Sequence, residues 1–309
     1  MSRSRRAGTA VTAEVMPGAV ARWVESVLGP IDRVRGASRR RPGSRVWEVV
    51  ATRSGRRYFV KVSPKPEFYT RETYAYRHAV PALGAGNGPC LVDSSAEHLA
   101  LVLTAVEGVP VAQLVADRRL SPVRRRAVHR QAGALLRRFH EAGAPDAGAG
   151  REAEQVVGEA TVAGVDRHIF EAGPHLTTAE ADVLRRAAGE LRNVGPLPVG
   201  LRHGDFWERN FLWDGRRCAL VDFERGTAGP VAGDFVRLAG DVWDAQPELR
   251  SALFEGYGRQ LTDAEERALT CLAAADAASA LAYGPRHDDA QVTARGRRTV
   301  ERLMRGVFA

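Results

Sequence analysis

Between Leu201 and Arg225 the chain carries the pattern that most restricts its fold: two short apolar runs, Phe211 to Trp213 and Cys218 to Val221, flank Asp214-Gly215. Asp-Gly between apolar runs is a strong hairpin signal, because both residues tolerate the positive φ of a tight turn. Closing the hairpin makes Asn210 and Asp222 neighbours at its open end, with Asp205 on the loop just before. The register stays open, since it depends on turn length. Two carboxylates and a carboxamide at one mouth suit a hard cation such as Mg2+, which keeps waters and binds substrate phosphates. A nucleotide phosphate would complete such a site. Phosphoryl transfer asks a protein for positioning and charge neutralisation, with one carboxylate taking or orienting the nucleophile's hydroxyl proton. On this reading Asp205 is the catalytic base, and Asn210 and Asp222 are metal ligands. Taken alone, His-Gly-Asp is ordinarily a turn; the spacing of the whole set gives it meaning. His203 reads more readily as a buried histidine bracing the loop than as a proton shuttle.

Upstream, Val46 to Ala51, a break at Ser54-Gly55 and then Arg57 to Val62 read as an antiparallel hairpin. Alternation puts Tyr58, Val60 and Val62 on one face, and Phe59 with Lys61 on the other. A loop of small and basic residues, Gly36 to Ser44, precedes it, while a helix around Glu67 to Ala79 and a strand from His98 to Val106 follow. After Glu107-Gly108 the pattern turns helical. Ser121-Pro122 has the form of a cap followed by proline at the first helical position, and Gly143 ends that helix. Thr177 with Glu180, and Thr262 with Glu265, match capping boxes that open helices running to about Leu191 and about Leu281. The expected architecture is α+β. Residues 1–106 form a small antiparallel-sheet lobe, with 1–15 as a disordered tail, and 107–309 form a larger, mainly helical lobe.

Composition removes several classes. A chain of 309 residues with 44% hydrophobic and 27% charged residues is not disordered throughout. No apolar run approaches the roughly 18 residues of a membrane span, and the basic start is not followed by a secretion signal, so a cytoplasmic protein with no membrane association is expected. Cys90, Cys218 and Cys271 are odd in number and far apart, and read as reduced core residues. The net charge of +8 is unevenly spread: residues 1 to 70 hold 15 basic and 5 acidic side chains, residues 226 to 290 hold 5 and 11. The basic front end suits a polyphosphate, and without a nucleic-acid motif no nucleic-acid partner is expected. Of the 45 basic residues only Lys61 and Lys65 are lysine. A lysine kept in a chain that otherwise writes arginine marks a place needing a compact ammonium, as a tight phosphate site does.

His203-Gly204-Asp205 with Asn210 resembles the HGDxxxxN signature of the aminoglycoside phosphotransferase and choline kinase families, relatives of the protein kinases. Asp222-Phe223-Glu224 resembles the segment carrying their metal-binding aspartate, with Glu in place of the Gly of DFG. Lys61 resembles the third-strand lysine holding the α- and β-phosphates, and Glu72 is placed like its ion-pair partner, with Glu67 as competitor. Gly36 to Ser44 resembles a nucleotide-covering loop loosely; backbone at Ser44 would meet phosphate, or the segment is an ordinary loop. Thr104 to Glu107, including Val106, stands where the family links its lobes and offers backbone to the base. Gly233-Asp234-Phe-Val-Arg-Leu resembles a downstream motif whose aspartate, Asp234 here, supports the catalytic loop.

The resemblance implies a bilobal protein-kinase-like fold and a small-molecule kinase using ATP or GTP with Mg2+. Its acceptor would be a hydroxyl of an aminoglycoside or other hydroxylated antibiotic, in a resistance or self-resistance role. Asp241, Asp244 and Asp288, with their acidic neighbours, would line the acceptor side and fit a cationic substrate, or else are a solvated helix face. A metabolic kinase of a choline-like amine or sugar, and an inactive nucleotide-binding module, are the alternatives. A protein kinase is disfavoured, because Asp222 runs quickly into Gly229-Pro230 with no room for an activation loop.

Overall fold

The computed structural model describes residues 15–38, 45–143, 161 and 163–308. Residues 1–14 of the expected tail, and Ser44 with most of its loop, lie outside the described residues. The chain divides into two compact units, Met1–Tyr69 with Leu91–Ala105, and Thr70–Cys90 with Val106–Ala309.

The first unit is built on helix α1 (Gly18–Leu28) and strands β1 (Ile31–Gly36), β2 (Arg45–Ala51) and β3 (Arg57–Val62), followed by helix α2 (Pro66–His78), which crosses the division, and strands β4 (Leu91–Ser95) and β5 (Ala100–Thr104). The five strands pair antiparallel in the order β1-β2-β3-β5-β4. Alternation in β2 and β3 sends Trp47, Val49, Val60 and Val62 to one face, where Met16, Val20 and Val24 cover them with Ala100 and Val102. Lys61 pairs with Val46 and Leu101 on its neighbouring strands, and the opposite side-chain direction puts it on the other face. Three elements escaped the sequence reading for identifiable reasons. β1 is an edge strand whose four middle residues are all exposed, β4 is the polar edge on the other side, and α1 starts after Pro17 with no side-chain cap.

The second unit holds strand β6 (Val109–Pro110), helix α3 (Val111–Ala116) and helix α4 (Pro122–Ala142). A helix over residues 163–172 (α5), helix α6 (Thr178–Gly189), and strands β7 (Val199–Arg202), β8 (Phe211–Trp213), β9 (Cys218–Leu220) and β10 (Thr227–Pro230) come next. Helices α7 (Val236–Asp241), α8 (Pro247–Tyr257), α9 (Asp263–Tyr283) and α10 (Ala290–Met304) complete it. Ser121 caps α4 by accepting from the Arg124 amide, and both capping boxes are formed in full. α4 crosses α8 at near contact, since a Cβ on Gly256 would lie 1.7 Å from the Arg130 carbonyl oxygen and one on Gly133 would lie 2.1 Å from that of Leu253. Only glycine permits such an approach. The alanine-rich face of α9 buries Ala274, Ala277, Ala278 and Leu281 against Val165, Leu184 and Val300.

The cysteine expectation needs one correction. All three are unbridged and Cys218 and Cys271 are buried, but Cys90 is exposed, because it ends the irregular run leading into edge strand β4. Among the described residues no helix is long and apolar enough to cross a membrane.

Candidate active site

β8 and β9 close as the hairpin, pairing Phe211 with Leu220 and Trp213 with Cys218. Asp214 sets the turn by accepting the amides of Arg216 and Arg217, both at 2.7 Å. One step beyond the last pair, the Val221 amide donates to the Asn210 carbonyl at 3.1 Å, so Asn210 and Asp222 stand at the same end of the ladder. Asp222 has φ +72°. Left-handed backbone is uncommon outside glycine, though aspartate tolerates it better than most residues, and such strain concentrates at functional positions.

The loop carrying Asp205 hangs from β7, whose partner β10 leads into the turn that presents Asp234. One Asp234 oxygen accepts the His203 amide and the other accepts the Gly204 amide, each at 2.7 Å. His140 of α4 donates to the same carboxylate from Nε2 at 2.9 Å, with the Tyr257 hydroxyl on its Nδ1 at 2.8 Å. Burial by itself would raise the Asp234 pKa, but the His140 hydrogen bond and charge, with the Arg202 charge, more than offset it and hold the group ionised below the usual carboxylate range. Gly204 sits at φ +73°, and a Cβ there would come within 2.3 Å of the Arg225 carbonyl oxygen, so no other residue fits. His203 is fully buried among Phe139, Phe206 and Phe223. Burial pushes its pKa down against the pull of Asp234 and Asp222, which leaves a neutral imidazole whose Nδ1 accepts the Asp205 amide at 3.3 Å.

Asp205 is buried and held from three sides. Asn210 Nδ2 donates to its Oδ2 at 3.0 Å and to its carbonyl at 2.8 Å, Arg209 approaches Oδ2 at 3.3 Å, and Arg237 of α7 pairs with Oδ1. With its nitrogen turned to Asp205, Asn210 has its amide oxygen as the atom suited to a cation. Among the described residues no group of three or more His, Cys, Asp or Glu forms a metal site. The oxygen donors Asn210 and Asp222 fit a magnesium ion that takes its remaining ligands from water and phosphate.

Beneath the loop, Glu208 receives Arg125 of α4 through two parallel bonds, Nε to Oε1 at 2.6 Å and Nη2 to Oε2 at 2.7 Å, and His129 Nε2 at 2.9 Å. Burial would raise the Glu208 pKa, yet the hydrogen bonds and charges of His129 and Arg125 keep it lowered. Glu208, Arg125, Arg209 and Arg237 were not singled out from the sequence. Glu208 and Arg209 fall on the variable positions of the motif, and in a chain that writes arginine almost everywhere Arg125 and Arg237 carry no compositional signal.

Lys61, in the first unit, is 7% exposed and therefore does not reach out to water. Glu72 is buried while Glu67 is exposed, which separates the two competitors by burial. Thr104 and Val106 are half-buried at the end of β5 and just after it. Of the acidic set, Asp241 pairs with Arg298, Asp244 lies 3.6 Å from Arg302, and Asp288 is exposed in the turn before α10.

With an antiparallel-sheet unit followed by a mainly helical one, the architecture is that of the kinase-like antibiotic phosphotransferases, and solved structures of that class align along nearly the whole chain. A streptomycin–ATP ternary complex of APH(2")-IIa matches with a TM-score of 0.63 at 15% identity, covering 93% of this chain and 97% of that one. ADP-bound APH(2'')-Ib matches with a TM-score of 0.62 at 16% identity, over 94% and 97%. The macrolide 2'-phosphotransferase MphH of Brachybacterium faecium matches with a TM-score of 0.58 at 16% identity, over 93% and 97%. No curated relative matches the chain. Residues 42–270 match the sequence model of the phosphotransferase enzyme family, and the chain belongs to that family.

Proposed function

We propose that this small-molecule kinase moves the γ-phosphate of ATP or GTP onto a hydroxyl of a hydroxylated antibiotic, and that resistance is its role. The observation that carries the reading is the closure of the β8–β9 hairpin. It holds Asn210 against Asp205 at 3.0 Å and brings Asp222 to the same end. In the step proposed, the acceptor oxygen bonds to the γ-phosphorus, and the bond from that phosphorus to the β–γ bridging oxygen breaks to release the nucleoside diphosphate. Asp205 takes the hydroxyl proton as the new bond forms. Asn210, through its amide oxygen, and Asp222 would hold Mg2+, which when bound neutralises polyphosphate charge. Lys61 is assigned to the phosphates, with Glu72, Thr104 and Val106 as further nucleotide-side residues; the bound ATP and ADP of the similar structures support nucleotide use. His203, neutral and caged, braces the loop, and Asp234 supports it by holding two of its amides. Asp241 and Asp244 have no part in this proposal, because both are matched by α10 arginines, while Asp288 keeps its assignment to the acceptor side as the chain neighbour of Asp289, which pairs with Arg209.

A panel of hydroxylated antibiotics, choline-like amines and sugars, incubated with the chain, Mg2+ and ATP or GTP, tests the reading by mass. The expected result is one added phosphate on an antibiotic of the panel. Gain on an amine or sugar alone would replace the antibiotic assignment, and nucleotide binding without gain on any member would favour an inactive binding module.

A further inference from the structure

We propose that Arg209 is a catalytic residue of the transfer step, its guanidinium holding the oxygens of the phosphoryl group as that group passes to the acceptor. The inference rests on the kinase reading with Asp205 as base. It starts from a redundancy around Asp205. Arg237 already pairs with Oδ1, and Asn210 already donates to Oδ2 at 3.0 Å and to the carbonyl at 2.8 Å. Arg209 reaches Oδ2 at 3.3 Å, a longer contact than either of those made by Asn210. Fixing the carboxylate in place therefore does not account for a second cation beside it.

What sets Arg209 apart is where it is held. It precedes Asn210 in the chain and meets Oδ2, the carboxylate oxygen that Asn210 also meets, so it stands on the side of Asp205 next to a proposed metal ligand. Arg237 meets the other oxygen, with Asp276 of α9 3.5 Å from its Nε. Asp289 Oδ2 lies 3.6 Å from Arg209 Nη1, and this carboxylate is itself fixed, because its Oδ1 caps α10 by accepting the Val292 amide at 3.0 Å. Trp207, which is buried, packs its ring against the guanidinium, with 4.0 Å to the centroid. Arg209 is thus set from three directions and still keeps 12% of its side chain exposed, whereas Arg295, against the same ring, keeps 3%.

The chemistry needs a cation at this place. In the transfer step the acceptor oxygen bonds to the γ-phosphorus, the bond to the bridging oxygen breaks and the nucleoside diphosphate leaves. The hydroxyl proton goes to Asp205, whose carboxylate oxygens each have a second lone pair, so neither arginine has to move away. A hydroxyl in contact with both Asp205 and the phosphorus puts the transferred group beside the carboxylate that Arg209 touches. Negative charge spread over the phosphoryl oxygens is stabilised by donors held ready for it, and a planar guanidinium fork suits such oxygens while remaining a cation throughout.

Calorimetric titration of ADP into the full chain with Mg2+, with and without aluminium fluoride as a mimic of the phosphoryl group in transfer, tests the proposal. The parent should bind ADP at least about tenfold more tightly when aluminium fluoride is present. Arg209→Gln should lose that gain and keep its affinity for ADP alone, while Arg237→Gln should keep the gain. Arg209→Met, which preserves the packing on Trp207, is read in the same way should Arg209→Gln fail to fold. A gain that survives in the folded Arg209 variant overturns the proposal and leaves the kinase reading standing. A gain lost equally in Arg237→Gln would tie it to the placement of Asp205 and not to Arg209, which also overturns the proposal. No gain in the parent would overturn the proposal and the kinase reading together.

Discussion

Asp205→Asn should lower the rate of phosphate transfer by about 10²–10⁴-fold, the span typical of removing a general base, while the affinity for nucleotide stays within a few-fold of the parent. The substitution must be Asn and not only Ala. Asp205 is buried with Arg209 and Arg237 on its two oxygens, and truncation to Ala would leave two guanidiniums beside a hole. Asn preserves the shape, and its amide oxygen still accepts from Asn210. A rate near that of the parent in Asp205→Asn, with folding and nucleotide affinity intact, would remove Asp205 from the chemistry.

The largest loss of stability is expected from Glu208→Ala. The parent carboxylate answers the Arg125 guanidinium and His129 in a buried setting, and removing one partner of such a pair typically costs about 3–5 kcal/mol. In a chain of this size that is a fall in melting temperature on the order of 10 °C. The pH dependence gives the interaction its signature. The Glu208 pKa is held below its unfolded value, so its contribution is complete above about pH 4–5, the range of an unfolded glutamate, and is lost as the pH falls through the lower folded value. Urea unfolding of parent and variant should therefore differ most near neutral pH and converge in acid. A variant as stable as the parent at pH 7 would mean that Glu208 is not the anchor of the loop to α4.

Whatever in this fold depends on local rules could be read ahead of the structure. Ser121, the Thr177 and Thr262 capping boxes and the Asp214-Gly215 turn each use a side chain or backbone preference acting within a few residues, and all four stand as the sequence implies. Asn210 and Asp222 were legible for the same reason, because a hairpin maps sequence distance onto space. What could not be read are interactions closed over long separations by residues of ordinary type. Nothing near Arg125 says that Glu208 will meet it, and nothing near Arg237 says that its partner is Asp205. The acidic stretch after residue 226 shows the limit of counting along the chain. α10 returns arginines to Asp241 and Asp244, so at those two positions the linear count does not by itself describe the local field. β1 was missed because an exposed edge strand has no apolar alternation to detect.

The central claim is that Asn210 and Asp222, at the end of the β8–β9 hairpin, hold the metal of a metal–nucleotide complex beside Asp205. Calorimetric titration of ATP into the parent and Asp222→Ala, with and without Mg2+, measures it most directly. The parent should gain at least about tenfold in nucleotide affinity from Mg2+, and Asp222→Ala should lose that gain while keeping its metal-free affinity. An equal gain from Mg2+ in both proteins would contradict the account.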